Sequence, residues 1–216
     1  MEGGAVKERP ILFSAPMVRA ILEGRKTVTR RVVKPAFPAS VFEVQPFAGD
    51  HSTWMPVRPG ASNEPWEEQI RVCPYGKPGD RLWVRETFAR VGTTDPGYLT
   101  YRATYPRCLP AGLENVPADI RDAGERWRPS IHMPRAACRI LLEVIDVRVE
   151  RLQDISEEQA RAEGVASCAD DLDPDGNGYS PYELFSALWV SINGDDSWHA
   201  NPWVWVVEFK RVEQSA

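Results

Sequence analysis

Residues 136–151 of this 216-residue chain carry its strongest structural signal, and it points to β-structure. Ile145, Val147 and Val149 fall on one side of an extended chain, with Asp146, Arg148 and Glu150 on the other. A second alternating run comes late in the chain. There Trp203, Trp205, Val207 and Phe209 interleave with Val204, Val206, Glu208 and Lys210, which reads as a last strand of a sheet. Strands of this length need a sheet around them and elements to cover its apolar faces.

The remaining segments supply those elements. Pro10 to Ser14 reads as a short strand, and Ser14 then caps a helix with Pro16 in its first turn. Val18, Ile21 and Leu22 form the apolar face of that helix, and Gly24 stops it. Thr27 to Val33 is short and rich in β-branched residues, a strand by propensity. Residues 35–78 are rich in Pro, Gly, Ser and Asn and are expected to form a long ordered loop, pinned by Trp54 and Trp66. Gly76 to Phe88 reads as a turn and a strand, Tyr98 to Tyr105 as another strand, and residues 108–127 as a polar excursion with one short helix. Ser156 with Gln159, and Ser180 with Glu183, open two further helices with capping boxes, the first closed by Gly164. The sum is an α+β domain with a mixed, mainly antiparallel sheet and three or four short flanking helices. Residues 1–216 are expected to form a single domain, with long loop insertions at about 35–78 and 106–128.

Composition narrows the class of function. The formal net charge is −5, whereas a protein that tracks long nucleic acid neutralises phosphates with a basic surface. Positive charge is concentrated instead at Arg25, Lys26, Arg30, Arg31 and Lys34, with Arg81 and Arg85 later. That pattern suits a small polar or anionic ligand, or a short stretch of nucleotide. Cys73, Cys108, Cys138 and Cys168 show no CxxC or CxxH spacing, so free thiols are expected rather than zinc or a redox dithiol. The opening MEGGAVKERPILFS lacks a signal-peptide pattern and no run of 18 apolar residues occurs, so the expected location is cytoplasmic, away from the membrane. Asp171, Asp173 and Asp175 imitate the start of a calcium loop, but its twelfth position is Tyr182 and Pro174 interrupts it. His51, His132 and His199 stand in no HxxxH or HExxH relation. No metal and no cofactor is expected.

Ile21-Leu22-Glu23-Gly24-Arg25-Lys26-Thr27-Val28-Thr29, followed by Arg30, resembles the opening motif of ASCH domains. Pro78-Gly79-Asp80 before a strand, Ala162-Glu163-Gly164 in a short helix and a terminal Glu208-Phe209-Lys210 follow in the order that family shows. The resemblance reaches from about residue 10 to 212. LWVRETF, RPSIHMPR and SWHANPWVWVVEFKR look like the longer ASCH proteins of bacteria and their phages. It implies a PUA-like β-barrel.

It implies two activities as well. Some small members of the family are amidohydrolases that remove the acyl group from N4-acetylcytidine; others are proposed RNA binders or ribonucleases. The expected substrate is accordingly a nucleoside or nucleotide, with a short single strand of RNA as the alternative. Carried over to this chain, the amidohydrolase set is Lys26, Thr29 and Glu163. Thr29 would attack the amide carbonyl and Lys26 would take its proton. Depression of the Lys26 pKa is expected from Arg25, Arg30, Arg31 and Arg85. Glu163 would serve the leaving nitrogen, its position at the negative end of a helix raising its pKa. Each has a plainer reading: Thr29 as a strand former, Lys26 as complement to a helix dipole, Glu163 as a solvated carboxylate. Substrate contacts are expected from Arg31, Trp83, Arg85 and Glu86, although Trp83 equally suits a core position.

Overall fold

A computed structural model describes residues 6–57, 66–92, 97–113 and 116–212. Its centre is a five-stranded sheet built from β1 (Glu8–Leu12), β2 (Val28–Val32), β6 (Arg81–Arg85), β9 (Leu141–Arg151) and β10 (Trp203–Val212). The order is β1-β6-β9-β10-β2; β1 runs parallel to β6 and the other pairs are antiparallel. The expected mixed, mainly antiparallel sheet is therefore present. Four α-helices accompany it among the described residues: α1 (Ala15–Leu22), α2 (Glu157–Ala162), α3 (Ala169–Leu172) and α4 (Pro181–Asn193). None of the described helices is long and apolar enough to cross a membrane.

The sequence patterns explain why these elements form. α1 ends in a Schellman turn: Gly24 adopts φ +74°, its N–H reaches Ile21 O, and Arg25 N–H reaches Ala20 O. Both predicted capping boxes are made, Ser156 with Gln159 at α2 and Ser180 with Glu183 at α4. β10 is a central strand buried on both faces. Trp205, Val207 and Phe209 join the main core with Val147, Val149, Ile11, Phe13 and α1. Val204 and Val206 pack with Val28 against α2 and α4 through Ala160, Phe185 and Trp189.

Two sequence expectations change. Ile145 is 45% exposed, because the pairing steps from Glu208↔Asp146 to Phe209↔Val144 and leaves Ile145 as the extra residue of a bulge. The inward face of β9 is thus Leu142 and Val144 before the bulge, and Val147 and Val149 after it. The stretch 35–78 also holds more than loop. It contains β3 (Val44–Phe47), β4 (Asp50–Pro56) and β5 (Arg71–Val72), paired as a small antiparallel sheet. Trp54 pins that sheet, buried in the main core with its indole N–H donated to His51 O; the Trp66 side chain lies outside the described residues. A hairpin of β7 (Phe88–Val91) and β8 (Tyr98–Tyr101) stands apart with its own small cluster of Phe88, Tyr101, Met133 and Ala137.

The large sheet has two hydrogen-bonding edges, β1 and β2, and no strand ladder joins them among the described residues. Pro10 sits in the β1 edge, where a missing N–H is tolerated. The edges nevertheless face one another closely enough for Arg31 Nη2 on β2 to donate to Leu12 O on β1 at 3.0 Å. A seam results, bridged by side chains in place of backbone pairing.

Candidate functional site in the seam between β1 and β2

The seam opens into a cleft of about 630 Å3, a size that accommodates a small organic ligand. Its walls are β1 with Phe13 and Ser14, β2 from Thr29 to Val32, and the face of α4 that carries Phe185, Leu188, Trp189 and Ile192. Lys26, Thr29 and Glu163 all line it. The structure thus brings together in one cleft the three residues that the resemblance to ASCH domains implies.

Lys26 follows the Schellman turn of α1, its own N–H sharing Ala20 O with Arg25. Thr27 N–H then binds Ala162 O at the end of α2, so the segment before β2 is fastened to the segment that carries Glu163. Gly164 makes this approach possible. It has φ +79°, and a Cβ there would meet Ala20 Cβ at 2.9 Å and Lys26 Cβ at 3.0 Å. Lys26 and Glu163 are each 3% exposed. The Lys26 Nζ donates to Val28 O, Glu163 O and Glu163 Oε2, each at 2.8 Å, which uses all three ammonium hydrogens.

Arg30 completes the cluster. One Nη faces Glu163 Oε1 at 3.4 Å, and the other binds Glu150 Oε2 at 3.1 Å and Gln159 Oε1 at 3.0 Å. A single guanidinium therefore joins the site to β9 and to the cap of α2. Two donors in the cleft wall lack partners: Arg30 Nε and Trp189 Nε1 are shielded from solvent without an acceptor.

The electrostatics differ from the expectation in their cause. The Lys26 pKa is held below the ordinary lysine value chiefly by burial, and Glu163 opposes this; Arg31 and Arg30 push it lower to a smaller extent. Arg25 turns outward to Glu23, and Arg85 turns to Ile131 O and the Trp83 ring. Neither ranks with Arg30 and Arg31 in its effect on Lys26. The dipole invoked for Glu163 is also minor, since α2 has six residues and two cations stand within 3.4 Å of the carboxylate.

Of the four expected substrate contacts, only Arg31 lines the cleft. It spans the seam to Leu12 O and lies 5.4 Å from the Phe13 ring centre. Trp83 and Arg85 stack on each other outside that lining. Glu86 is 1% exposed and clamped by Arg139 through two hydrogen bonds of 2.8 and 2.9 Å. Arg139 also binds Thr104 and lies over Tyr101, so Glu86 anchors the β7–β8 hairpin. Sequence reasoning placed Arg30 only as a neighbour that lowers the Lys26 pKa, and missed its ion pair with Glu163 and the α4 wall. The alternation that puts Arg30 on the opposite face of β2 from Thr29 was a usable signal for the first; nothing in α4 marked it as more than core.

The false calcium loop has a structural explanation too. Asp173 accepts N–H groups from Asn177, Gly178 and Tyr179 and organises the turn that leads into α4. Among the described residues, no group of three or more His, Cys, Asp or Glu side chains is placed to hold a metal ion.

No family model matches the chain, and no curated protein matches it. A crystal structure of a protein from Enterococcus faecalis V583, assigned to a family described as DUF984, superposes with a TM-score of 0.35 and 9% identity over 99% of this chain and 88% of that one. That likeness is too slight to bear on fold or activity.

Proposed function

We propose that the chain is an amidohydrolase of the ASCH family, with its open sheet a variant of the PUA-like barrel, that removes the acyl group from N4-acylated cytosine nucleosides or nucleotides. The observation that carries the reading is the buried Lys26–Glu163 pair inside a ligand-sized cleft that Thr29 also lines.

As an ammonium with three acceptors, Lys26 cannot take a proton. Glu163 Oε2 at 2.8 Å offers it somewhere to send one. Transfer from Lys26 to Glu163 leaves a neutral amine and a neutral carboxylic acid, a pair whose burial costs less than that of two separate charges. The amine then accepts the Thr29 hydroxyl proton as Thr29 Oγ1 bonds to the acyl carbon. The Glu163 carboxylic acid protonates the exocyclic nitrogen as the C–N bond breaks. Water releases the acyl group from Thr29 by the reverse sequence of proton transfers. Along β2 the N–H groups of Thr29, Arg31 and, just past its end, Val33 face β10, as Val33 N–H bound to Trp203 O shows. The Arg30 N–H therefore points into the seam, where it can donate to the oxyanion.

The test is deacylation of N4-acetylcytidine, followed by the ultraviolet absorbance of cytosine. Turnover is expected, with Thr29→Ala, Lys26→Ala and Glu163→Ala losing rate by comparable, non-additive factors. Lys26→Arg should be nearly as damaging as Lys26→Ala, because guanidinium keeps the charge and cannot act as the base. An inert nucleoside together with cleavage of a short RNA would replace this reading with the ribonuclease one.

A further inference from the structure

A second concave site lies beside the cleft. Residues 126–128 run antiparallel to β7 through the Phe88↔Arg128 bridge, with Arg128 N–H bound to Phe88 O at 2.8 Å and Phe88 N–H to Arg128 O at 3.2 Å. The bridge is isolated, and two residues beyond it on each segment stand Arg126 and Arg90. Like charges gathered in one place repel one another. Arg90, Arg126 and Arg128 nonetheless line one hollow of about 500 Å3, with Glu125 and glycine backbone as the rest of its wall.

Several arginines elsewhere are matched with carboxylates: Arg9 with Asp80, Arg139 with Glu86, Arg148 with Glu150 and Glu208. Among the described residues, none of the three in the hollow has a carboxylate partner. Arg90 donates to Gly97 O, and the lining carries three cations against one carboxylate. In a chain of net charge −5 this concentration is out of keeping with the whole.

The hollow also adjoins the seam. Thr87 and Ser130 line the cleft, whereas Arg90 and Arg128 line the hollow. Three residues and two residues of extended chain separate them, about 7–10 Å at the rise of a strand.

We infer that the hollow binds phosphate groups of a phosphodiester chain whose end enters the cleft, so that the substrate is a short single-stranded oligonucleotide. The identity of the base in the cleft rests on the function proposed above; the phosphate site does not. The choice of a chain over a single phosphate follows from magnitude. All three arginines are exposed, and one exposed ionic contact strengthens binding by a factor of about five at most. A lone phosphate would not be retained. A chain gains several contacts together and releases counterions.

The experiment is fluorescence anisotropy with a labelled, unstructured octaribonucleotide over a series of salt concentrations. The combined Arg90→Ala, Arg126→Ala and Arg128→Ala variant should bind about tenfold more weakly or worse. Its log–log salt slope should be shallower by about 2, from three lost contacts at about 0.7 each on a single strand. Lys7→Ala, which removes an exposed cation elsewhere, should change neither quantity. Inorganic phosphate should fail to compete at millimolar concentration. An unchanged affinity and slope in the triple variant would overturn the inference, as would capture of inorganic phosphate equal to that of the oligonucleotide. The three arginines lie outside the catalytic cluster, so the variant should deacylate free N4-acetylcytidine as the unaltered protein does. An inert nucleoside with intact arginine-dependent binding would sink the proposed chemistry and leave this site standing.

Discussion

Lys26 Nζ and Glu163 Oε2 are 2.8 Å apart inside the protein, although 137 residues separate them in the chain. Neither side chain reaches solvent to any extent, so the pair is held by the backbone around it: the Schellman turn after α1, the Thr27–Ala162 hydrogen bond and the left-handed Gly164. Its energetic worth as a bridge is small, because desolvating two charges offsets much of their attraction. Its worth to chemistry is a proton donor and a proton acceptor kept in contact.

Gly164→Ala tests that arrangement from outside the reacting groups. An alanine Cβ would bring left-handed strain of about 1–2 kcal/mol. It would also overlap Ala20 and Lys26, whose Cβ atoms lie at 2.9 and 3.0 Å. The expected loss is about 2–3 kcal/mol of stability in urea unfolding. Deacylation should fall further than Glu163-independent ligand binding does, because Lys26 itself must shift. A variant as stable and active as the unaltered protein would show that the contact is not needed.

Much of this was legible in the sequence, and the boundary has physical causes. Capping boxes at Ser156 and Ser180 are local chemistry, complete within four residues, and they were readable as such. Lys26, Thr29 and Glu163 were legible through a motif. The Ile145 bulge was not, because it depends on register with Glu208 and Phe209 on another strand. Glu86 was misread for a similar reason: its partner Arg139 is 53 residues away, and a carboxylate beside an aromatic looks the same whether it meets a ligand or an arginine. β3 and β4 were lost among prolines and glycines, since short strands with polar faces carry little periodicity.

The Glu86–Arg139 clamp separates structure from catalysis. Arg139→Ala leaves a buried carboxylate without its cation and should cost about 3 kcal/mol or more of stability. The KM for a nucleoside substrate should stay unchanged, because Glu86 does not line the cleft. A large rise in KM with little loss of stability would restore Glu86 to the binding role read from the sequence.

The depressed pKa of Lys26 has a consequence in alkaline solution. At low pH the amine is charged in both the folded and the unfolded chain, and folding bears the full cost of burying that charge. As pH rises toward the ordinary value of 10.5, the folded amine loses its proton before the unfolded one does. Over that window the unfolded chain binds more protons, so this group makes stability rise with pH, by about 1.4 kcal/mol for each unit of depression. Other titrating groups cancel in a comparison with Lys26→Met. The unaltered protein should gain stability relative to Lys26→Met as pH approaches 10.5, measured by urea unfolding at several pH values. A flat or falling difference would mean that Glu163 outweighs burial.

Trp189 offers the last test, and it concerns a cost built into the cleft. Its indole N–H is buried with no acceptor, and a buried donor left unmatched costs about 1–3 kcal/mol. Its ring packs 6.1 Å from that of Phe185, in the cluster that covers Val204 and Val206. Trp189→Phe removes the unmatched donor and keeps an aromatic ring, at the expense of some packing volume. Trp189→Leu loses the donor and the ring together. If the unmatched donor is the larger effect, the phenylalanine variant should melt no lower than the unaltered protein, while the leucine variant loses about 2 kcal/mol or more from the cavity it leaves. Equal and large losses in both variants would mean that the N–H is matched in solution and that Trp189 is held there by its polar edge as well as its size.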